Sequence, residues 1–363
     1  MAENTWPQVL RTLISRSELS NEQSSWAMQQ MLAGEATDAQ IAAFVVALRA
    51  KGETAAEVQA LVATMALHAN TFTTARPAID IVGTGGDQAN TVNISTMTAL
   101  VVAACGNPVA KHGNRAASSQ TGTADVLEEL GVVIELSPEL VRQCVDEVGI
   151  GFAFAPRHHP AMRHVGAVRR ELGVPTVFNI LGPLSNPAGA AAMLVGVADA
   201  QRAPVIAEVL KSRGVRALVV RGDDGLDEIS TTTSSTIWDA TGDSVEQVSF
   251  DPRSVGLVPV EPALLVGGDP VRNAALLRQV LGLTSVDATD AMRIAAIGDV
   301  VALNAAAALV AYDALSDGVS TAPLPERITA QLARARLALD SGAAGQVLSH
   351  WVAFTQGLGE NQN

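Results

Sequence analysis

Cysteine, aromatic residues and positive charge are all scarce in this chain of 363 residues, and each scarcity closes off a class of protein. The two cysteines, Cys105 and Cys144, lie in apolar helix-like surroundings with no Cys-x-x-Cys and no metal spacing. A disulfide framework is thereby excluded, and both read as buried reduced thiols of a cytosolic protein. Lys and Arg total 24 against 37 Asp and Glu, a net charge of −13. Like charge repels nucleic acid and anionic membranes, so a general binder of either is excluded. The N-terminal stretch lacks the basic start and apolar core of a signal peptide. The longest apolar run, Val300 to Tyr312, is interrupted by Asn304 and is too short to span a bilayer. A soluble, cytoplasmic protein is expected. With aromatics at 3% and hydrophobics at 48%, the core must be built from Ala, Val and Leu, a balance suited to helices packed tightly on a sheet. The length suffices for one large domain or two.

What is present divides the chain into two grammars. The first seventy or so residues read as helices only. A helix covers about Pro7 to Ser15, and capping boxes at Ser20/Gln23, Thr37/Gln40 and Thr54/Glu57 announce three more. Gly34 and Gly52 stand where the first two of these should stop. Strand-like runs then alternate with helix-like ones. The strands expected are Ala78–Val82, Val109–Lys111, Val132–Leu136, Phe152–Phe154, Met193–Val197, Ala217–Val220 and Leu257–Val260. Helices are expected at Ser95–Cys105, Pro138–Glu147, Met162–Leu172 and Arg202–Arg213, with Ala/Leu-rich helices returning from about Asp269. Such alternation implies an α/β fold with a mostly parallel sheet.

From Gln88 to Ala124 there is no carboxylate at all. Within that gap Lys111, His112 and Arg115 share a loop with Gly113, Ser118, Ser119, Thr121, Gly122 and Thr123. Cations, hydroxyls and small residues together suit an anion that the backbone approaches closely, phosphate before any other. A solvated basic loop is the bland alternative. Upstream, "DIVGTGGDQANTVNIST" places Gly83, Gly85 and Gly86 directly after a strand, where no Cβ obstructs a ligand. It departs from the dinucleotide pattern GxGxxG, and no helix starts at once. Helix-start signals follow at Asn93, Ser95 and Thr96, where free N–H groups and the helix dipole favour phosphate.

Two further segments carry chemistry. From Arg157 to Arg170 there are four arginines, three of the six histidines and no acid. On a helix these arginines point in different directions and not all can face one pocket, so most are surface or interface residues, with one, not singled out by the sequence, able to reach a substrate carboxylate. Adjacent His158 and His159 followed by Pro, without a carboxylate, make a poor metal site. After the strand ending at Val220 come Asp223, Asp224, Asp227 and Glu228. The first two read as a solvated turn. The second two lie beyond a strand end, where α/β sheets place ligands, and suit Mg²⁺ bridging to phosphate.

Taken together, "GTGGD", "NIST", "KHGNRAASSQTGTADVLEELG", "HPAMRHVGAVRRELGVPTVFNILGPLSNPA" and "GLDE" resemble the anthranilate phosphoribosyltransferases in order and spacing, over about Pro7 to Val352. Pyrimidine nucleoside phosphorylases share the fold but carry SGRG where this chain has His112-Gly113-Asn114-Arg115. A non-catalytic relative binding single-stranded nucleic acid is a further alternative, disfavoured by the net charge and the intact Asp227–Glu228 pair. The resemblance implies a helical domain over residues 1–74 and an α/β domain over 75–363, with about 162–187 packing back on the helical part. It also implies a homodimer formed through the helical domains. The substrates implied are phosphoribosyl pyrophosphate and anthranilate, with no nucleic acid and no membrane. By motif, the phosphoribosyl pyrophosphate site would comprise Gly83, Gly86, Asp87, Thr91, Asn93, Ile94, Ser95, Thr96, Lys111, His112, Gly113, Asn114, Arg115, Ala116, Ala117, Ser118, Ser119 and Thr123, with Ile94, Ala116 and Ala117 offering only backbone. Lys111 and Asp87 would be catalytic. Gly83, Asn114 and Arg169 would meet anthranilate. Two Mg²⁺ would bind, one touched by Ser95 and one held by Asp227 and Glu228.

Overall fold

The computed structural model describes residues 4–116, 120–316, 320 and 322–360. Four helices come first: α1 (Trp6–Ile14), α2 (Asn21–Ala33), α3 (Asp38–Lys51) and α4 (Ala55–Leu67). The three capping boxes form, each Ser or Thr accepting the backbone N–H three residues on. Gly34 and Gly52, at φ 74° and 95°, end α2 and α3.

The α/β part runs β1 (Ile79–Gly83), α5 (Ile94–Ala104), β2 (Val109–Gly113), α6 (Thr123–Glu129), α7 (Pro138–Gln143), β3 (Ile150–Phe154), α8 (Ala155–His158), α9 (Arg163–Leu172), α10 (Phe178–Leu184), β4 (Ala192–Gly196), α11 (Ala203–Ser212), β5 (Arg216–Gly222), β6 (Ser235–Asp239) and β7 (Glu246–Phe250). Four helices close it: α12 (Pro270–Val280), α13 (Ala291–Asp313), α14 (Leu324–Asp340) and α15 (Ala343–Glu360). The seven strands lie in the order β3-β2-β1-β4-β5-β6-β7. β1 to β5 are parallel; β6 and β7 are antiparallel additions at one edge.

Two expected strands are not strands, and two strands were not expected. Val132–Leu136 is extended and buries Val132, Ile134 and Leu136, but what runs beside it is α15, whose Thr355 Oγ1 accepts the Val133 N–H. Alternation alone does not make a strand without a ladder partner. Leu257–Val260 likewise lies outside the sheet, with Val258 exposed. β6 and β7 escape pattern reading because edge strands need bury little, and Glu246 and Gln247 are exposed. α7 stops earlier than expected, giving way to a π-helical turn at Cys144–Val148 that ends on Gly149 at φ 91°.

The sheet divides the interior into two cores by its period of two. Ile79, Ile81, Leu194, Leu218 and Val220 face α5 and α12–α15. Met193, Val195, Ala217 and Val219 face the other way, into a core shared with α9–α11 and all four N-terminal helices. α9 packs on α2 and α3, and α10 on α4. α13 is long and apolar enough to cross a membrane by length and composition, but 78% of its most apolar window is buried inside the protein, as a core helix would be. Cys144 is buried and Cys105 half-buried; both are free.

Candidate active site

β1 and β4 are neighbours from which the chain departs to opposite sides, so a crevice opens beyond their carboxyl ends. Gly83 and Gly196 face each other there in register. Both must be glycine for reasons of space. A Cβ on Gly83 would lie 2.4 Å from Asp227 Oδ2, and one on Gly196 only 1.5 Å from the Asp227 carbonyl oxygen. The β5–β6 connection therefore enters the crevice where those side chains are missing. Gly85 donates its N–H to Asp227 Oδ2 at 2.8 Å. The β1–α5 loop turns through Gly85 and Gly86 at φ 63° and 86°, with Gln88 and Asn90 also left-handed at 58° and 50°. Two non-glycine residues in that region store strain in the loop. Gly196→Ala should displace Asp227. We expect a folded protein destabilised by about 1–3 kcal/mol that has lost its Mg²⁺-dependent activity; wild-type kinetics from this variant would separate Gly196 from the site.

Three carboxylates converge in the crevice. Burial, and then the charge of Asp87, pushes Asp227 up to about 7. Glu228 is raised well above its usual range by burial and by Asp227, against the pull of Lys111 and an N–H from Ser95. These carboxylates repel one another out of water, the state that a divalent cation relieves. Among the described residues no group of three His, Cys, Asp or Glu is placed to hold a metal ion by itself, so an ion here would rest on two carboxylates and draw its other ligands from elsewhere. Mg²⁺ is an ion that keeps waters and shares its shell with substrate phosphates.

Ser95 lies in the first turn of α5, whose cap residue Asn93 is held on both sides. Its Oδ1 accepts from Asn273 Nδ2 at 2.9 Å, and its Nδ2 donates to the Thr121 carbonyl at 3.2 Å. Asn273 also accepts the Gly268 N–H, and Thr121 Oγ1 donates to the Gly268 carbonyl. Thr91 forms a bridge with Val266 in the same loop pair. Thr96 is buried, its hydroxyl without a partner among the described residues. Ile94 gives its N–H to Val92, so that group is committed inside the protein.

The acid-free loop is less basic in three dimensions than in sequence. Lys111 is not a mobile surface charge. It is buried in β2, and its Nζ donates to the Ile81 carbonyl and lies 3.3 Å from Ser95 Oγ. His112 projects to the other face, donating from Nδ1 to the Gly182 carbonyl and packing on His159; burial lowers it far below its ordinary value. Arg115 is bound by Glu128 and Asp125 of α6 and lies over the Phe154 ring, so its guanidinium is committed within the protein. The gap in carboxylates ends at Asp125, which folds the loop by accepting N–H groups from Ala116 and Gly122. Asn114 is exposed and accepts the Arg115 N–H; Gly113 packs between Phe152 and Thr123. The expected contacts of Ala117, Ser118 and Ser119 lie outside the described residues.

Arg169 is exposed with its guanidinium 5.6 Å from the Phe178 ring centroid, and among the described residues it has no carboxylate partner. Phe178 precedes Asn179 and Ile180, which line a cavity of about 170 Å³ together with Thr84, Gly85, Gly86 and Arg202. His158 and His159 each bond a backbone carbonyl, at Asn70 and Ser185. The structure thus brings together Gly83, Gly85, Asp87, Ser95, Lys111, Asp227 and Glu228. Asp223 and Asp224 do more than sit in a solvated turn. Asp224 accepts from Leu226 N, Ser230 Oγ and Thr232 Oγ1, and Asp223 from Ser234 and Thr236.

Several supporting residues escaped the sequence reading. Asn304 of α13 exchanges two hydrogen bonds with the backbone of Ile229, next to Glu228; its signal was a lone amide inside an apolar run. Asp80, buried in β1, accepts from the His112 N–H and from Asn186 Nδ2. Asn273 gave no signal at all.

The chain matches the helical bundle domain of the glycosyl transferase family over residues 7–69 and the a/b domain of that family over residues 75–345. Fold and crevice thus define a glycosyl transferase of this two-part class. An anthranilate phosphoribosyltransferase of Mycolicibacterium vanbaalenii is 53% identical over 98% of this chain and 95% of its own. The crystal structure of anthranilate phosphoribosyltransferase from Thermus thermophilus superposes with a TM-score of 0.85 at 40% identity, covering 96% of this chain and 99% of that one. The enzyme from Saccharomyces cerevisiae in complex with PRPP and Mg superposes at 0.83 with 27% identity, covering 98% and 99%. This chain belongs to the anthranilate phosphoribosyltransferase family.

Proposed function

We propose that this protein transfers the phosphoribosyl group of phosphoribosyl pyrophosphate (PRPP) to the amine of anthranilate, releasing pyrophosphate, as a step of tryptophan biosynthesis. The observation that carries this reading is the convergence of Lys111, Ser95 and the acids Asp87, Asp227 and Glu228 on the β1/β4 crevice, beside the N-terminus of α5. The Saccharomyces cerevisiae enzyme has been solved with PRPP and Mg and with 4-fluoroanthranilate, which names the ligands of that relative.

Cleavage of the bond from ribose C1 to pyrophosphate leaves positive charge on the sugar and negative charge on the departing oxygen. Lys111, fixed between Ile81 and Ser95, supplies a cation that needs no reorganisation as the charge develops. The first turn of α5 adds its dipole to the phosphates, with Asn93, Ser95, Thr96 and Thr91 alongside. Gly83, Gly86 and Asp87 shape the ribose side. Asp227 and Glu228 would hold one Mg²⁺ and Ser95 would touch a second, two per subunit, and the charge so supplied would offset that of the leaving pyrophosphate. The anthranilate amine is neutral at pH 7 and needs no strong base, so orientation decides the rate. Arg169, unpaired by any acid among the described residues and held over Phe178, grips the carboxylate with help from Asn114 and Gly83. Asn114, Thr123 and the loop about Ala116 border the donor, where Arg115 and His112 serve the loop through their packing.

The division near residue 74 and the return of residues 162–187 to the helical part belong to the same reading. A homodimer paired through the helical domains is supported by apolar side chains left exposed there, Ile14 at 74%, Val46 at 45% and Leu67 at 84%, and a cytoplasmic location belongs to the same reading. The test is direct. Anthranilate fluorescence should fall when PRPP and Mg²⁺ are added to the purified protein and should persist when EDTA is included. Turnover indifferent to EDTA, or none with anthranilate, counts against the assignment.

A further inference from the structure

Where α3 meets the loop before α11, four charged side chains close into a ring across the junction between the N-terminal helices and the sheet. Arg49 Nη2 lies 2.6 Å from Asp199 Oδ2, and Arg202 Nε lies 3.8 Å from that same oxygen. Arg202 Nη2 lies 2.7 Å from Glu53 Oε1, and Glu53 Oε2 lies 3.7 Å from Arg49 Nη1. Charges alternate round the ring. Its inner pair, Arg202 and Glu53, has side chains 4% and 3% exposed; the outer pair, Arg49 and Asp199, 34% and 31%.

A buried ion pair adds little net stability over apolar packing, because desolvation offsets the attraction. What it does define is a distance. Asp199 and Arg202 also line the cavity that Thr84, Gly85, Gly86, Asn179 and Ile180 border. α3, which carries Arg49, packs on α9, the helix that carries Arg169. None of the four charges takes part in the chemistry described above. We propose that the ring is a positioning device: it sets how far α3 and α9 stand from the glycine loop, and through that spacing sets the affinity for the acceptor. The proposal rests on the reading that Arg169 meets anthranilate, and the ring should leave donor binding untouched, since Lys111, Ser95 and Asp227 all belong to the sheet side of the junction.

The experiment uses Arg49→Gln, Asp199→Asn and the double variant of the full chain, all at the partly exposed pair and so compatible with folding. Asn at 199 can still accept the Gln201 N–H that Asp199 Oδ1 accepts at 3.0 Å. Each single variant should raise KM for anthranilate about fivefold, with kcat and KM for PRPP within about twofold, and the double should be no worse than the worse single. Added salt should raise the acceptor KM of the wild type and not that of the double variant. Amide exchange in α9 and α10 should quicken in all three variants while α13 stays as it is. Unchanged exchange together with unchanged acceptor KM overturns the proposal, as does equal damage to both substrates, the mark of a merely structural role. Should the wild type make no product, the functional assignment fails on its own account and the exchange data alone decide the ring.

Discussion

Lys111→Met should lower kcat by about 10²–10³-fold while changing KM for PRPP far less. Methionine fills the buried stem's space in β2 but removes the ammonium that Ile81 and Ser95 hold in place. A charge fixed in a site shielded from water acts on the transition state, where pyrophosphate gathers charge, more than on the bound substrate. Lys111→Arg should not rescue the loss: the position is buried, and a planar guanidinium neither fits that channel nor meets the same acceptors. A far-ultraviolet spectrum and a thermal transition like those of the wild type would show that the strand survives. Activity retained by the methionine variant would return Lys111 to a structural part.

Replacing Asp227 with Asn and Glu228 with Gln should produce a protein that folds, needs far more Mg²⁺ for half-maximal rate, and has a lower maximal rate. The Gly85 N–H bond to residue 227 can persist with an amide oxygen, so shape is kept while two negative charges go. The same variant has a readout apart from turnover. Asp227 is raised from 3.8 to about 7 in the folded protein, first by burial and then by Asp87. An acid so raised contributes stability that is fully present below its unfolded value and is lost as pH rises through the folded one. Without Mg²⁺ the wild type should therefore lose stability between about pH 4 and pH 7, and the double variant should lose less over that window. Mg²⁺ at pH 7.5 should raise the melting temperature of the wild type and leave that of the variant nearly unchanged. Superimposable Mg²⁺ titrations of rate and of melting temperature would rule out the metal role.

Much of this protein was legible from local rules. A capping box involves residues three apart, so Ser20, Thr37 and Thr54 declared their helices without knowledge of the rest of the chain. The glycines after β1, the helix start at Asn93–Thr96 and the carboxylates beyond β5 were visible for the same reason: strand ends, free helix termini and missing side chains are local facts that point to phosphate and metal chemistry. The motif resemblance extended that reading to the family, which the relatives share over nearly the whole chain.

What only the tertiary structure decided involves partners distant in sequence. The basic character of Lys111, His112 and Arg115 looked shared, but a strand sends Lys111 and His112 to opposite faces, and α6 returns Glu128 and Asp125 to Arg115. Val132–Leu136 has the alternation of a strand and lacks one because a helix came to lie beside it. Gly196 gave no signal of its own in the sequence; the Asp227 backbone, far along the chain, lies where its Cβ would be. Asn304 and Asn273 hold the metal-side loop and the α5 cap from distances of 75 and 180 residues, and Glu53 meets Arg202 from 149. Spacing along the chain encodes period, caps and turns; it does not encode which remote group will arrive to neutralise a charge or take up a hydrogen bond, since that is chosen by packing of the whole.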